Sequence, residues 1–308
     1  MFKKILASIG HGGAKVDFRL SNSQVALGES LHGEVVVKGG NVEQHINIIE
    51  VHLFLDFHHH EQLHTHKIET FSLPVHRAIQ ASEQLSFPIQ YVIPNNWLLS
   101  SPYVSYYFST NLDIAGAVDA SDRDFLEVVP NSRMNQVLSA ISQLGFYEKH
   151  GSKKFNGKVQ EFEYAPGSFL AGKVEEIEFF MTCETEGILL HLELDAFSFS
   201  GEKEIKRQIW LANSLLENTD ELTVFLIDQM EDMLRNPHSY DIYYHHGHYY
   251  HSSHHEGSGI GGVVAGAVGG FLAGMLISEV IDEVFDEEDD EENDEDDPDF
   301  EAFEDEED

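Results

Sequence analysis

Ile46-Asn-Ile-Ile-Glu-Val-His-Leu-Phe-Leu-Asp-Phe57 is the stretch that decides the fold. Within it Glu50, His52, Phe54 and Asp56 point one way, while Val51, Leu53, Leu55 and Phe57 point the other. A period of two is that of a β-strand with one face in a core. The same alternation extends outward from it. Val16, Phe18 and Leu20 alternate with polar neighbours, Gly28-Glu29 turns the chain into Glu34-Val-Val-Val-Lys38, and Gly39-Gly40 turns it again. Lys67–Leu73, Glu83–Ile93, Tyr103–Leu112 and Phe125–Val129 read as further strands, with Pro94-Asn95-Asn96 as a turn. Short strands separated by turns, with no βαβ alternation, predict an antiparallel sandwich over residues 1–130.

The period then changes. Met134, Val137, Leu138, Ile141 and Leu144 fall at helical spacing after Pro130-Asn131-Ser132, and Gly145 ends the run, so residues 131–148 are expected to form a linker helix. Strand patterns resume at Val159–Tyr164, Val174–Met181, Ile188–Phe199 and Ile205–Leu211. Asp220–Leu234 follows as a closing helix, completing a second lobe over 149–235. The fold class expected is therefore all-β: two tandem β-sandwich lobes, a short linker helix and a largely disordered C-terminal tail.

Charge and cysteine content exclude several functions. The formal net charge of the 308 residues is −37, and nothing after Arg235 is Lys or Arg. A field of that sign disfavours nucleic acid. The single cysteine, Cys183, rules out an internal disulfide and any multi-cysteine zinc site. Lys3 and Lys4 precede an apolar run too short for a signal peptide; Phe2, Ile5, Leu6 and Ile9 share one helical face suited to docking or weak membrane contact.

Several stretches together carry a resemblance. Ala14-Lys-Val-Asp17, Gly28-Glu29, Gly33-Glu-Val35, Gly39-Gly40, Leu112-Asp-Ile114, Ala117-Val-Asp-Ala-Ser-Asp-Arg-Asp124 and Gln160-Glu-Phe-Glu-Tyr-Ala-Pro166 resemble the SpoOM-type sporulation-control proteins, over roughly residues 1–235. The resemblance implies an arrestin-like fold for both lobes and a regulatory scaffold acting through protein partners in the cytoplasm or at the membrane periphery. It brings no catalytic residues and no cofactor. The acidic run from Asp282 onward is a departure from the family pattern.

The residues offer few sites of their own. His58, His60, His64 and His66 lie around an expected hairpin; alternate positions share a face, so a borderline metal is one reading and a polar hairpin tip the other. Histidine-dependent metal binding or sensing is thus the alternative to a scaffold. Asp119, Asp122 and Asp124 around Arg123 read as a salt-bridge network at a turn rather than a calcium loop. Cys183 reads as packing, and nucleophile elbows, Walker loops, dinucleotide fingerprints and zinc-protease motifs are missing, so no enzyme is expected.

Beyond the lobes, residues 236–258 form a His/Tyr-rich linker and residues 282–308 an acidic tail, in which Phe300 and Phe303 stand out as a short docking motif. Between them, in residues 259–281, Gly262, Gly266, Gly270 and Gly274 recur every fourth position. On a helix they would share one face that allows close backbone approach, so self-association, membrane insertion and disorder all remain open.

Overall fold

The computed structural model describes residues 12–60, 62–115, 117–198 and 201–237, and the backbone of 243 and 244. The apolar face at residues 2–9, the glycine ladder at Gly262, Gly266, Gly270 and Gly274, the acidic tail and the rest of the His/Tyr-rich linker lie outside the described residues.

Eight strands build the first lobe: β1 (Lys15–Leu20), β2 (Gln24–Ala26), β3 (Ser30–Lys38), β4 (Gln44–His59), β5 (Gln62–Ile79), β6 (Gln84–Val92), β7 (Val104–Ile114) and β8 (Ala120–Val129). They form a three-stranded sheet, β1-β3-β6, over a five-stranded sheet, β2-β8-β7-β4-β5. The alternation in β4 is realised as expected: Val51, Leu53, Leu55 and Phe57 are buried. Phe18 of the smaller sheet meets Phe108 of the larger edge to face, ring centroids 4.9 Å apart. Burying each such ring contributes about 2–3 kcal/mol. Gly33 is required here, because a Cβ would come within 2.5 Å of the Phe18 ring. Tyr106 is fully buried yet satisfied: it stacks on Trp97 and donates its hydroxyl hydrogen to the Leu98 carbonyl at 2.8 Å.

Free edges are blunted. The β4–β5 register slips between Ile46 and Ile48 and again between Leu53 and Phe54, and Pro74 sits in β5. Pro88 interrupts the outer side of β6. Bulges and prolines at edges discourage pairing with other chains.

Asn131 caps α1 (Ser132–Gln143), its side-chain oxygen accepting the Met134 N–H at 3.0 Å. Gly145, at φ +84°, ends the helical course early, so residues 146–148 are strand and not helix. The second lobe then comprises β9 (Phe146–Glu148), β10 (Lys154–Phe155), β11 (Gln160–Pro166), β12 (Val174–Cys183), β13 (Gly187–Ser198), β14 (Gly201–Ala212), α2 (Asn213–Leu216), α3 (Thr219–Arg235) and β15 (Tyr243–Tyr244). These strands make one sheet in the order β10-β11-β12-β13-β14-β15, with β9 on β11. The inner face carries Leu190, Leu192, Leu194, Ile205, Ile209 and Leu211; Val137, Ile141, Leu222, Leu226 and Met230 of the helices are buried with it. The helix expected as a linker thus forms part of this lobe's second layer. Arg207, buried on that inner face, is held by Asp232 of α3 at 3.0 Å.

Several side chains join the lobes: the Ser101 hydroxyl donates to the Lys153 carbonyl at 3.1 Å, and the Tyr103 hydroxyl to the His150 carbonyl at 3.3 Å. Gln160 accepts the Leu99 N–H at 2.7 Å and donates to the Leu99 and Lys153 carbonyls at 2.8 and 3.0 Å, while Phe57 packs edge-on against Phe155. No described helix is long and apolar enough to cross a membrane.

Candidate functional site

The outer face of the second sheet is where ionisable groups gather. Alternation turns every second residue of β11–β14 outward, and the register places Glu163 opposite Glu178, Glu178 opposite Glu193, and Glu193 opposite Lys206. Glu176, Asp195 and Glu204 form a second rank beside that row. Lysines terminate it: Lys206 reaches Glu193 at 2.8 Å and Glu204 at 2.9 Å, and at the far end Lys149 bonds Glu176 and lies 3.9 Å from Glu163.

Two lysines do not neutralise six carboxylates held half out of water. Burial, then the charges of Glu161, Asp195, Glu176 and Glu163, push the Glu178 carboxyl up to about 7. Burial raises Glu193 to about 7 as well, against the pull of Lys206. Glu161 and Asp195 are raised from their ordinary values, chiefly by burial. Glu204 moves the other way, lowered by its bond to Lys206. Beside the row, His191 stacks on Phe180 at 4.0 Å, and burial drives its pKa down to about 4, so the imidazole is neutral at physiological pH.

The arrangement can take up protons near neutrality, meet a basic surface, or gather oxygen ligands. Glu176, Glu178 and Asp195 each offer an oxygen within 4.8 Å of the others, the hard donor set suited to magnesium or calcium. Among the described residues this is the only such group of three.

The sequence-predicted residues fall elsewhere. Register pairs His64 with Phe57 and His66 with Leu55 on the core side, His64 stacking on the Phe57 ring at 5.2 Å. His58 pairs with Leu63 on the opposite, exposed side, and His60 occupies the turn at φ +46°. The four are therefore not brought to one site, because the two-residue turn sends His58 to the face away from His64 and His66. His59, between His58 and His60 in sequence, is buried and packs 4.0 Å from the His60 ring.

The expected network around Arg123 is also corrected. Alternation in β8 separates Arg123 from its neighbours, and its guanidinium lies over the Tyr107 ring at 4.2 Å. Asp122 instead accepts the Phe18 N–H at 3.0 Å, closing β1 against β8, and Asp119 accepts the Ile114 N–H. Asp124 is pushed up to about 6 by burial and then by Asp122 and Asp17. Cys183 is half-buried, its thiol pKa raised by burial, and Asn131 donates to its sulfur at 3.7 Å, as a packing residue would.

Comparison with known proteins points one way. A family model described as SpoOM protein matches residues 2–197. The sporulation-control protein spo0M of Bacillus subtilis (strain 168) is 32% identical over 208 residues, covering 63% of this chain and 80% of that one. The crystal structure of Spo0M from Bacillus subtilis superposes with a TM-score of 0.56 at 26% identity, covering 73% of this chain and 99% of the other.

Proposed function

The chain belongs to the SpoOM protein family, and from that premise we propose that it is a non-enzymatic regulatory adaptor of the sporulation-control type, working through contacts with protein partners. The observation that carries this reading is the outer face of the second sheet, a broad half-exposed surface where carboxylates outnumber lysines. Surplus charge of one sign on a flat sheet suits a basic macromolecular surface, giving fast, salt-sensitive association.

The experiment is co-purification with full-length protein carrying Glu163→Gln, Glu178→Gln and Glu193→Gln against wild type, at low and high salt. Loss of the captured proteins from the folded variant and from wild type at high salt supports the adaptor. An unchanged set of partners removes the face from the mechanism. Turnover of ester, phosphate or peptide substrates by the purified protein overturns the non-enzymatic reading.

A further inference from the structure

The outer face of the first lobe's larger sheet carries the most exposed large apolar side chain among the described residues, Phe125 of β8, at 65%. Register sets Phe125 opposite Tyr107 of β7, which stands opposite Phe54 of β4. Two residues before Phe125 on the same face, Arg123 lays its guanidinium over the Tyr107 ring at 4.2 Å. Phe54 stacks on that ring from the β4 side, centroids 5.1 Å apart. Tyr107 is therefore only 6% exposed although it points outward. The stack fixes the plane of the guanidinium and leaves the N–H donors around its rim to other partners.

Arg123 takes part in no ion pair and no hydrogen bond among the described residues, in a chain of net charge −37. Ser109, directly opposite it on β7, and Ser121, two residues before it on β8, share its face. Neither hydroxyl is hydrogen-bonded among the described residues. The carboxylates of the same face are engaged with other neighbours: Asp56 accepts from Thr65 at 2.7 Å, Glu127 accepts from Gln24 at 3.0 Å, and Glu50 lies 3.7 Å from His52.

A planar cation, two hydroxyls and an exposed phenyl ring on adjoining strands select an oxyanion with an apolar group beside it. Guanidinium and carboxylate match in plane and spacing for paired hydrogen bonds. Positions two apart on a strand are separated by about 7 Å, close to the span from an α-carboxylate to the tip of a phenylalanine ring. In a chain terminus the carboxylate and the last side chain leave the same Cα, so a single ordered residue makes both contacts at a small entropic cost.

We infer that this patch is a docking site for the C-terminus of a partner protein, its terminal carboxylate on Arg123 and the two serine hydroxyls and its last, apolar side chain on Phe125. The patch lies on a different sheet from the carboxylate face of the second lobe and prefers the opposite charge, so either contact can fail without the other.

Amide NMR of full-length protein titrated with acetyl-Leu-Phe as the free acid tests this. The comparison ligands are the C-terminal amide of the same peptide, an amidated peptide with an internal Glu-Phe, and an amidated phosphoserine-Phe peptide. The free acid should shift the Ser109, Ser121, Arg123 and Phe125 amides with a dissociation constant on the order of millimolar, and the amide should bind about tenfold more weakly. Arg123→Lys and Phe125→Ala should each weaken the free acid about fivefold or more, with melting temperatures unchanged. The variant carrying Glu163→Gln, Glu178→Gln and Glu193→Gln should bind it as wild type does. Equal binding of acid and amide, shifts centred elsewhere or no saturable shift would overturn the inference, as would an Arg123→Lys chain that binds undiminished. Tighter binding of the internal glutamate or phosphoserine peptide would overturn the assignment to a chain terminus.

Discussion

Replacing Glu178 by Gln is expected to stabilise the protein at pH 8 and to leave it nearly unchanged at pH 4.5. The folded carboxyl holds its proton up to about 7, against an ordinary value of 4.5. Below 4.5 the group is protonated in both folded and unfolded chains and costs nothing. Between 4.5 and 7 the unfolded chain ionises first, so stability falls as pH rises, and above 7 the full cost of a charged Glu178 is present. A separation of about 2.5 pH units corresponds to about 3.4 kcal/mol. The group is partly in water, and screening there reduces the figure to about 1–2 kcal/mol. Gln keeps the shape of the protonated acid and removes the charge, so the variant gains that amount at pH 8, or about 3–6 °C in melting temperature for a body of this size. Thermal melts of wild type, Glu178→Gln and a control, Glu231→Gln on the exposed side of α3, at pH 4.5, 6 and 8 read the difference. A Glu178→Gln chain no more stable than wild type at pH 8, or a gain independent of pH, would refute the reasoning. Glu193, also held up to about 7 by burial, behaves the same way in direction.

Gln160→Ala removes the two hydrogen bonds to Leu99 that cross between the lobes, along with one to the Lys153 carbonyl, and strands the Leu99 N–H, so chemical denaturation should show a loss of about 1–3 kcal/mol. Gly33→Ala drives a methyl group into the Phe18 ring and is expected to cost about 1–3 kcal/mol in the same measurement, with Phe18→Leu in the double variant recovering part of it. His58→Ala should leave zinc affinity at the hairpin unchanged by isothermal titration, since His58 lies on the face away from His64 and His66; a tenfold loss would show that it acts with them.

The alternation at Val51–Phe57 specified its own strand and the core face of that strand, because the side-chain period of a strand is a local property of the backbone. The helix start at Asn131 and the strand at Ile205–Leu211 were legible for the same reason: capping and periodicity need only neighbouring residues. So were the ingredients of the carboxylate face, in Gln160-Glu-Phe-Glu, Glu175-Glu-Ile-Glu178 and His191-Leu-Glu-Leu-Asp195. What local pattern does not carry is which strands lie side by side and in what register. Pairing β11, β12, β13 and β14 in sequence order turned three separate glutamates into one row and lifted two of them toward neutrality. The hairpin register likewise parted His58 from His64, and packing against α3 made a core element of a helix that the sequence presented as a connection. Sequence alone determined the elements and the face each one buries; tertiary structure decided which charges became neighbours, because electrostatic energy depends on distance in space and on burial, and both are set only when distant strands meet.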